Sequence, residues 1–251
     1  MEDMDQDASE DIGCGPAFLI TCTISCLVVI LFTACAAPPP SSTGIRGEDD
    51  SPGGSIRISH ALGGSKEEAT SYGLRVEIDG GDGEAVETLV GGQVVRLNDV
   101  DFAGPGDVRL GFDHQFIGIS FYSSRPLNGF ELEGELGFGR STLDARASLG
   151  ALSESAEFQG SGFYAGGSVS YQMDWPALLF YRLRGFQGSA GGNVSTWEAQ
   201  LGASLSINQT MAVSAGMQGW NYMLEPSGGP PAPSDLDLTL NGPFLRLEFS
   251  F

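Results

Sequence analysis

The chain has 251 residues, with 37 glycines, a single lysine (Lys66) and a formal net charge of −20. Glycine is costly inside helices and common where strands bend or pack closely, so this composition excludes a mainly helical protein and leaves room for one large β domain. The acidic balance excludes nucleic acid as a partner, because like charge repels phosphate, and it suits a solvated surface.

Residues Ala17 to Ala36 are twenty apolar or small residues without a charge. That length fits the apolar region of an export signal or a membrane-spanning helix, so residues 1–34 form an export segment. The four cysteines, Cys14, Cys22, Cys26 and Cys35, all lie in or beside it. A body without cysteine stands without disulfides. Export signals open on basic residues, yet the first basic residue here is Arg46 and six acids precede Cys35. A cleaved signal, an uncleaved anchor and a start site downstream of Met1 all remain open on these residues. A chain beginning at Cys35 would carry −20 + 6 = −14.

Residues 35–54 are rich in Pro, Ser, Gly and acids, the composition of a linker. Residues 55–251 then read as strands. Ser55 to Leu62 alternates Ile56, Ile58 and Leu62 with polar residues, and Ser71 to Asp79 sets Tyr72, Leu74, Val76 and Ile78 against Gly73, Arg75 and Glu77. Gly80-Gly81-Asp82-Gly83 reads as a turn. Leu89 to Leu97 is interrupted by Gly91 and Gly92, and Asp107 to Tyr122 changes the parity of its apolar face near Phe116 and Ile117, which predicts a bulge. Gly129 to Gly139 places Phe130, Leu132, Leu136 and Phe138 opposite Glu131, Glu133 and Glu135. Gly162 to Met173, Ala177 to Gln187, Val194 to Ile207, Met211 to Trp220 and Leu236 to Phe251 complete ten candidates, with Arg182 and Arg184 on the polar side of the second of these.

The connections alternate in length. Asp174 to Pro176 and Asn208 to Thr210 are tight and Ser123 to Asn128 is only slightly longer, whereas Arg140 to Ser161, Gly188 to Asn193 and Asn221 to Asp235 run longer. Short turns on one side and long loops on the other are the habit of barrels in lipid. With an even number of strands both ends of the barrel chain lie on the short-turn side. Eight strands replace ten if the weak early hairpin is a loop or plug.

The last residues, Leu236 to Phe251, end on Leu245, Leu247, Phe249 and Phe251 along one side, with Arg246, Glu248 and Ser250 on the other. This ending resembles the C-terminal strand of bacterial outer-membrane β-barrels, whose terminal Phe and alternating apolar residues form the insertion signal read by the barrel-assembly machinery. Phe32-Thr33-Ala34-Cys35 resembles a lipobox, with Phe32 where Leu is usual, and implies lipidation at Cys35. As a whole, residues 55–251 resemble the small outer-membrane barrels of Gram-negative bacteria. The fold expected is therefore all-β, a closed antiparallel transmembrane barrel of eight to ten strands, monomeric, in contact with outer-membrane lipid.

On that register Glu131, Glu133, Glu135, Arg57, Arg75, Arg182, Arg184, Arg246 and Glu248 point into the lumen, where carboxylates and guanidinium groups neutralise one another. Aromatics near strand ends, Tyr122, Phe130, Trp175, Trp197, Trp220, Tyr222, Phe249 and Phe251, fit interfacial girdles. Only His60 and His114 offer general bases, and no motif frames either, so no catalytic residue is assigned; metal-ligand clusters and cofactor motifs are not found. The function expected is a non-enzymatic envelope protein whose outer loops are its contact surface. Two rivals are a lipid-modifying barrel hydrolase using His60 or His114, and a lipid-tethered soluble β-barrel that holds an apolar ligand inside.

Overall fold

The computed structural model describes residues 52–65, 70–97, 100–173, 176–189, 192–226 and 236–251. The export segment, Cys35, most of the linker and Trp175 lie outside the described residues.

Eleven strands make up the described chain: β1 (Gly53–Ser65), β2 (Thr70–Leu89), β3 (Val94–Leu97), β4 (Val100–Ala103), β5 (Gly106–Leu127), β6 (Phe130–Leu149), β7 (Leu152–Gln172), β8 (Ala177–Ser189), β9 (Gly192–Ser206), β10 (Met211–Pro226) and β11 (Leu236–Ser250). Nine of them ring round in the order β1-β11-β10-β9-β8-β7-β6-β5-β2, and β3 and β4 form a separate hairpin. Every neighbouring pair is antiparallel except one. β1 runs parallel to β11, from Gly53 opposite Phe244 to Ser59 opposite Ser250, while pairing antiparallel with β2.

The count is therefore odd, and this corrects the expectation of an even barrel. The segment Leu89 to Leu97 supplies only the end of β2 and the short β3, so the early hairpin leaves the ring as a cap. Its Val95, Leu97 and Phe102 are buried with Leu110, Phe112, Leu143 and Ala147 from the walls. The end that this hairpin covers is called the capped end below; Phe251 lies at the other, the C-terminal end.

Turn chemistry closes two of the hairpins at the C-terminal end. Asn128 and Gly129 have φ of 51° and 87°, the pair of left-handed residues that a two-residue type I′ turn requires. At the β9–β10 turn Asn208 Oδ1 accepts from Thr210 N at 2.8 Å and from its Oγ1 at 3.0 Å, an Asx turn.

β2, β5, β6 and β7 have 20, 22, 20 and 21 residues, about twice the 9–11 that a tilted membrane strand needs. Three expectations fall for this one reason. The loop Arg140 to Ser161 is the continuation of β6 and β7 around the tight turn Gly150-Ala151, and the turn at Gly80 to Gly83 is uninterrupted β2. The bulge near Phe116 is absent: β5 pairs with β2 and β6 without a register shift past that point. What changes there is the environment. Toward the C-terminal end β5 turns exposed Ile117 and Ile119 outward and buried Ser120 inward; toward the capped end it turns Arg109, Asp113 and Gln115 outward and Val108, Leu110 and Phe112 inward. One strand thus serves two environments with its alternation intact, apolar outside in one half and apolar inside in the other.

The neighbouring strands switch at the same height. On β6 the outward row runs Leu136, Phe138 and then Arg140, Thr142, Asp144 and Arg146, while the inward row runs Glu133, Glu135 and then Leu143, Ala145 and Ala147. On β7 the outward residues pass from Ser155, Glu157 and Gln159 to Phe163 and Tyr171. Residues facing inward at the switch include Gly137 and Gly139, where an added Cβ would lie 2.5 Å from Tyr164 Cζ and 2.8 Å from Phe116 Cζ. The glycines thus give two aromatic rings a floor to lie on, and Phe116 and Tyr164 meet edge to face at 5.2 Å.

Candidate functional site

The inward residues below the switch form one ionic network built from six strands. Glu77 of β2, fully buried, sits at its centre and takes a bidentate pair from Arg182 of β8, at 2.5 and 2.6 Å. Arg57 of β1 reaches it at 3.1 Å, Arg184 at 3.4 Å and Arg246 of β11 at 3.8 Å. Arg182 also holds Glu135 of β6 at 2.5 Å, and Arg75 of β2 clamps Glu133 at 2.6 and 2.7 Å and reaches Glu135 at 3.2 Å. Arg184 divides its charge between Asp79 and Glu198 of β9, each at 2.6 Å, and Arg57 reaches Glu248 at 3.5 Å.

Neutral groups complete the set. Arg246 donates to Gln200 and, at 2.9 Å, to Ser55; Gln200 donates to Glu198; Ser214 donates to Glu248; and Arg75 donates to Ser59 at 3.2 Å. Three guanidinium groups lie over aromatic faces, Arg184 over Phe116 at 4.1 Å, Arg75 over Tyr122 at 4.5 Å and Arg246 over Phe244 at 5.3 Å. A charge removed from water needs such multiple partners, since desolvation otherwise outweighs the pairwise attraction. Five guanidinium groups against six carboxylates leave the centre nearly neutral and packed with side chains. Glu77, Arg182, Arg184 and Arg246 in it are each 2% exposed or less.

Of the lumen residues expected from sequence, Glu133, Glu135, Arg57, Arg75, Arg182, Arg184, Arg246 and Glu248 meet in this network. Glu131 stands apart: it is exposed and lines a vestibule of about 170 Å³ at the C-terminal end. Glu77, Asp79 and Glu198 were not singled out, although each shares the parity of Arg75 or Gln200 on its own strand. Parity was the signal that would have found them.

The aromatics divide. Phe130 with Tyr171 (5.2 Å between rings) and Phe138 with Phe163 (5.6 Å) stand on the outer face at the two margins of the apolar band, and Trp197 is half-buried at the margin nearer the capped end. Trp220 and Tyr222 are buried inside against His114, at 5.0 and 5.9 Å, which removes them from the outer girdle. They face inward because β10 shares the parity of Ser214 and Gln218, and they lie above the charged layer. No known protein family, curated protein or solved structure matches the chain.

Neither histidine shares a face with the serine or aspartate beside it in the sequence. Ser59 faces inward onto Arg75 whereas His60, next to it, is exposed on the outer face; Asp113 points outward and His114 inward. His114 lies above the apolar band, at the height where Gln115 and Asp113 face out, and burial, aided by the Arg184 charge, lowers its pKa to about 4.

At that height the outer face carries a row of carboxylates. Asp82 of β2 stands opposite Asp113 of β5, which stands opposite Asp144 of β6, which stands opposite Glu157 of β7. Like charges directly across strands repel. The row marks the capped half as a water-facing surface, beside a cleft of about 630 Å³ that also contains Arg109 and Arg146.

Proposed function

We propose that this chain is an integral membrane β-barrel of the bacterial outer-membrane type, a non-enzymatic envelope protein. Its lumen is sealed by ion pairs, and its capped half is a raised contact surface outside the membrane. The observation that carries the reading is the inversion along single strands. Ile117, Ile119, Phe163 and Leu201 are 46, 52, 71 and 62% exposed on the outside of a wall whose inside is arginine and glutamate. In water that exposure would cost about 25 cal/mol for each Å² of apolar surface, and a monomeric soluble protein rarely exposes so continuous a band.

The height of the band supports the same reading. From Trp197 on β9 to Ile207, just past its end, the outward row advances ten residue steps, about 34 Å at ~3.4 Å each. At the ~40° tilt usual in such barrels this spans ~26 Å of membrane, close to the ~25 Å apolar belt of outer-membrane proteins. Aromatic residues at both margins are the girdles that lipid interfaces favour. Phe251, with its N–H donating to Ser59 O at 3.0 Å and its C=O accepting from Ala61 N at 3.0 Å, closes the C-terminal strand into the wall. By the resemblance of that strand to insertion signals, the C-terminal end faces the periplasm, the barrel-assembly machinery inserts the chain and the capped end faces outward.

Two assays test this. The folded protein should remain in the membrane pellet after alkaline carbonate and should migrate faster on a gel when unheated than when boiled. A chain released by carbonate, with one migration position heated or not, would return the apolar rows to the interior of a soluble protein.

A further inference from the structure

We infer that the chain enters this barrel from the capped, outward side, so that its two ends lie on opposite sides of the membrane and the residues ahead of Pro52 stand on the cell surface. The inference rests on the membrane reading above and adds a topology that an even-stranded barrel would not have.

Three observations lead to it. First, the parallel register of β1 with β11 sets Gly53 opposite Phe244 and Ser59 opposite Ser250, so β1 descends toward the C-terminal end and Pro52 lies at the level of the switch. Above Gly53, the edges of β2 from Asp82 to Leu89 and of β11 from Leu236 to Pro243 have no partner on that side among the described residues, and Pro52 enters between these two strands from the capped side.

Second, the chain has no way back down the inside. β1 is paired on both sides from Gly53 to Ser59. Gly53 is so close to the lumen packing that an added Cβ would lie 1.7 Å from Gln218 Nε2. Below it the buried Glu77, Arg182, Arg184 and Arg246 fill the bore.

Third, a return along the outside would drag Arg46, Glu48, Asp49 and Asp50 across the apolar band. Hydrocarbon does not satisfy such groups or their unpaired backbone. From Cys35 to Pro52 there are 17 residues, a reach of up to about 56 Å. A lipid on Cys35 would therefore sit in the outer leaflet, beside the capped end.

The test is labelling of whole cells with a membrane-impermeant maleimide on full-length chains carrying one added cysteine each: Ser42→Cys ahead of the barrel, Ala151→Cys in the β6–β7 turn at the capped end, and Gln209→Cys in the β9–β10 turn at the C-terminal end. The unaltered chain gives the background of its own cysteines. Ser42→Cys and Ala151→Cys are expected to label at least tenfold above background in intact cells, and Gln209→Cys only after the outer membrane is permeabilised. If Ser42→Cys follows Gln209→Cys while Ala151→Cys labels intact cells, the topology is overturned and the barrel reading survives. If Ala151→Cys and Gln209→Cys label alike in a protein that carbonate extracts, the membrane reading fails and takes this inference with it.

Discussion

Glu77 and Arg182, 105 residues apart in the chain, meet in two hydrogen bonds of 2.5 and 2.6 Å at the centre of the lumen, joining β2 to β8 across the bore. A contact across the diameter of a ring holds its shape in a way that neighbour-to-neighbour pairing does not. Removing either partner leaves an uncompensated buried charge, which costs about 3–5 kcal/mol. Arg182→Met and Glu77→Gln are each expected to lose stability of that size in vesicle unfolding. The double variant should lose clearly less than the sum, since the second change removes the charge stranded by the first. Strict additivity would show that the two side chains do not act on each other.

Depth on the outer face gives a second test. Leu201 lies mid-band and Ser195, on the same strand and the same side, lies just beyond Trp197 toward the capped end. Arginine facing lipid costs about 2–4 kcal/mol at the midplane and about 0–1 near the interface. Leu201→Arg should therefore destabilise the vesicle-reconstituted protein by several times as much as Ser195→Arg. Equal effects would argue that both positions face water.

Much of the half nearer the C-terminal end was legible in the sequence, because period-two alternation with Ile and Leu against Arg and Glu is a strong pattern on β1, β2, β6 and β9. The orientation was not. Alternation is identical whichever face turns inward, and only the positions of Glu77, buried, and Leu201, 62% exposed, show which face does. The capped half was hidden for a related reason: its inward row is small and mixed, Leu143, Ala145, Ala147 and Ala156, and its outward row is polar, so Arg140 to Ser161 resembled a loop. The parity change at Phe116 was visible, and its cause lay in the surroundings and not in the backbone. The ninth strand and its parallel seam carried no local signal, since strand direction within a ring depends on which neighbours close it.

The carboxylate row makes a prediction of the opposite sign. Asp113 faces Asp82 on one side and Asp144 on the other, all on the outer surface of the capped half. Such pairs destabilise a sheet by some tenths of a kcal/mol each, and salt screens them. Asp113→Asn is expected to raise the midpoint of thermal unfolding at low ionic strength, with the gain shrinking as sodium chloride approaches about 1 M. A lower midpoint at low salt would mean that the row is held together by something other than protein groups.

The last prediction concerns pH and rests on His114, packed against Trp220 and Tyr222 above the outer apolar band. Burial holds its folded-state pKa down at about 4, below the ordinary 6.5. A depressed histidine stays neutral when folded and binds its proton more readily when unfolded, so acid favours unfolding. The sign follows from the two values: stability from this group is fully present above pH 6.5, declines as pH falls from 6.5 toward 4, and is level again below 4. Two and a half pKa units correspond to at most about 3 kcal/mol. The midpoint of heat-modified migration, followed from pH 8 to pH 4.5, should fall below pH 6.5 in the native chain, and His114→Phe should flatten that limb while leaving the plateau above pH 7 in place. A limb that persists unchanged in His114→Phe would assign the acid sensitivity to the carboxylates and acquit the histidine.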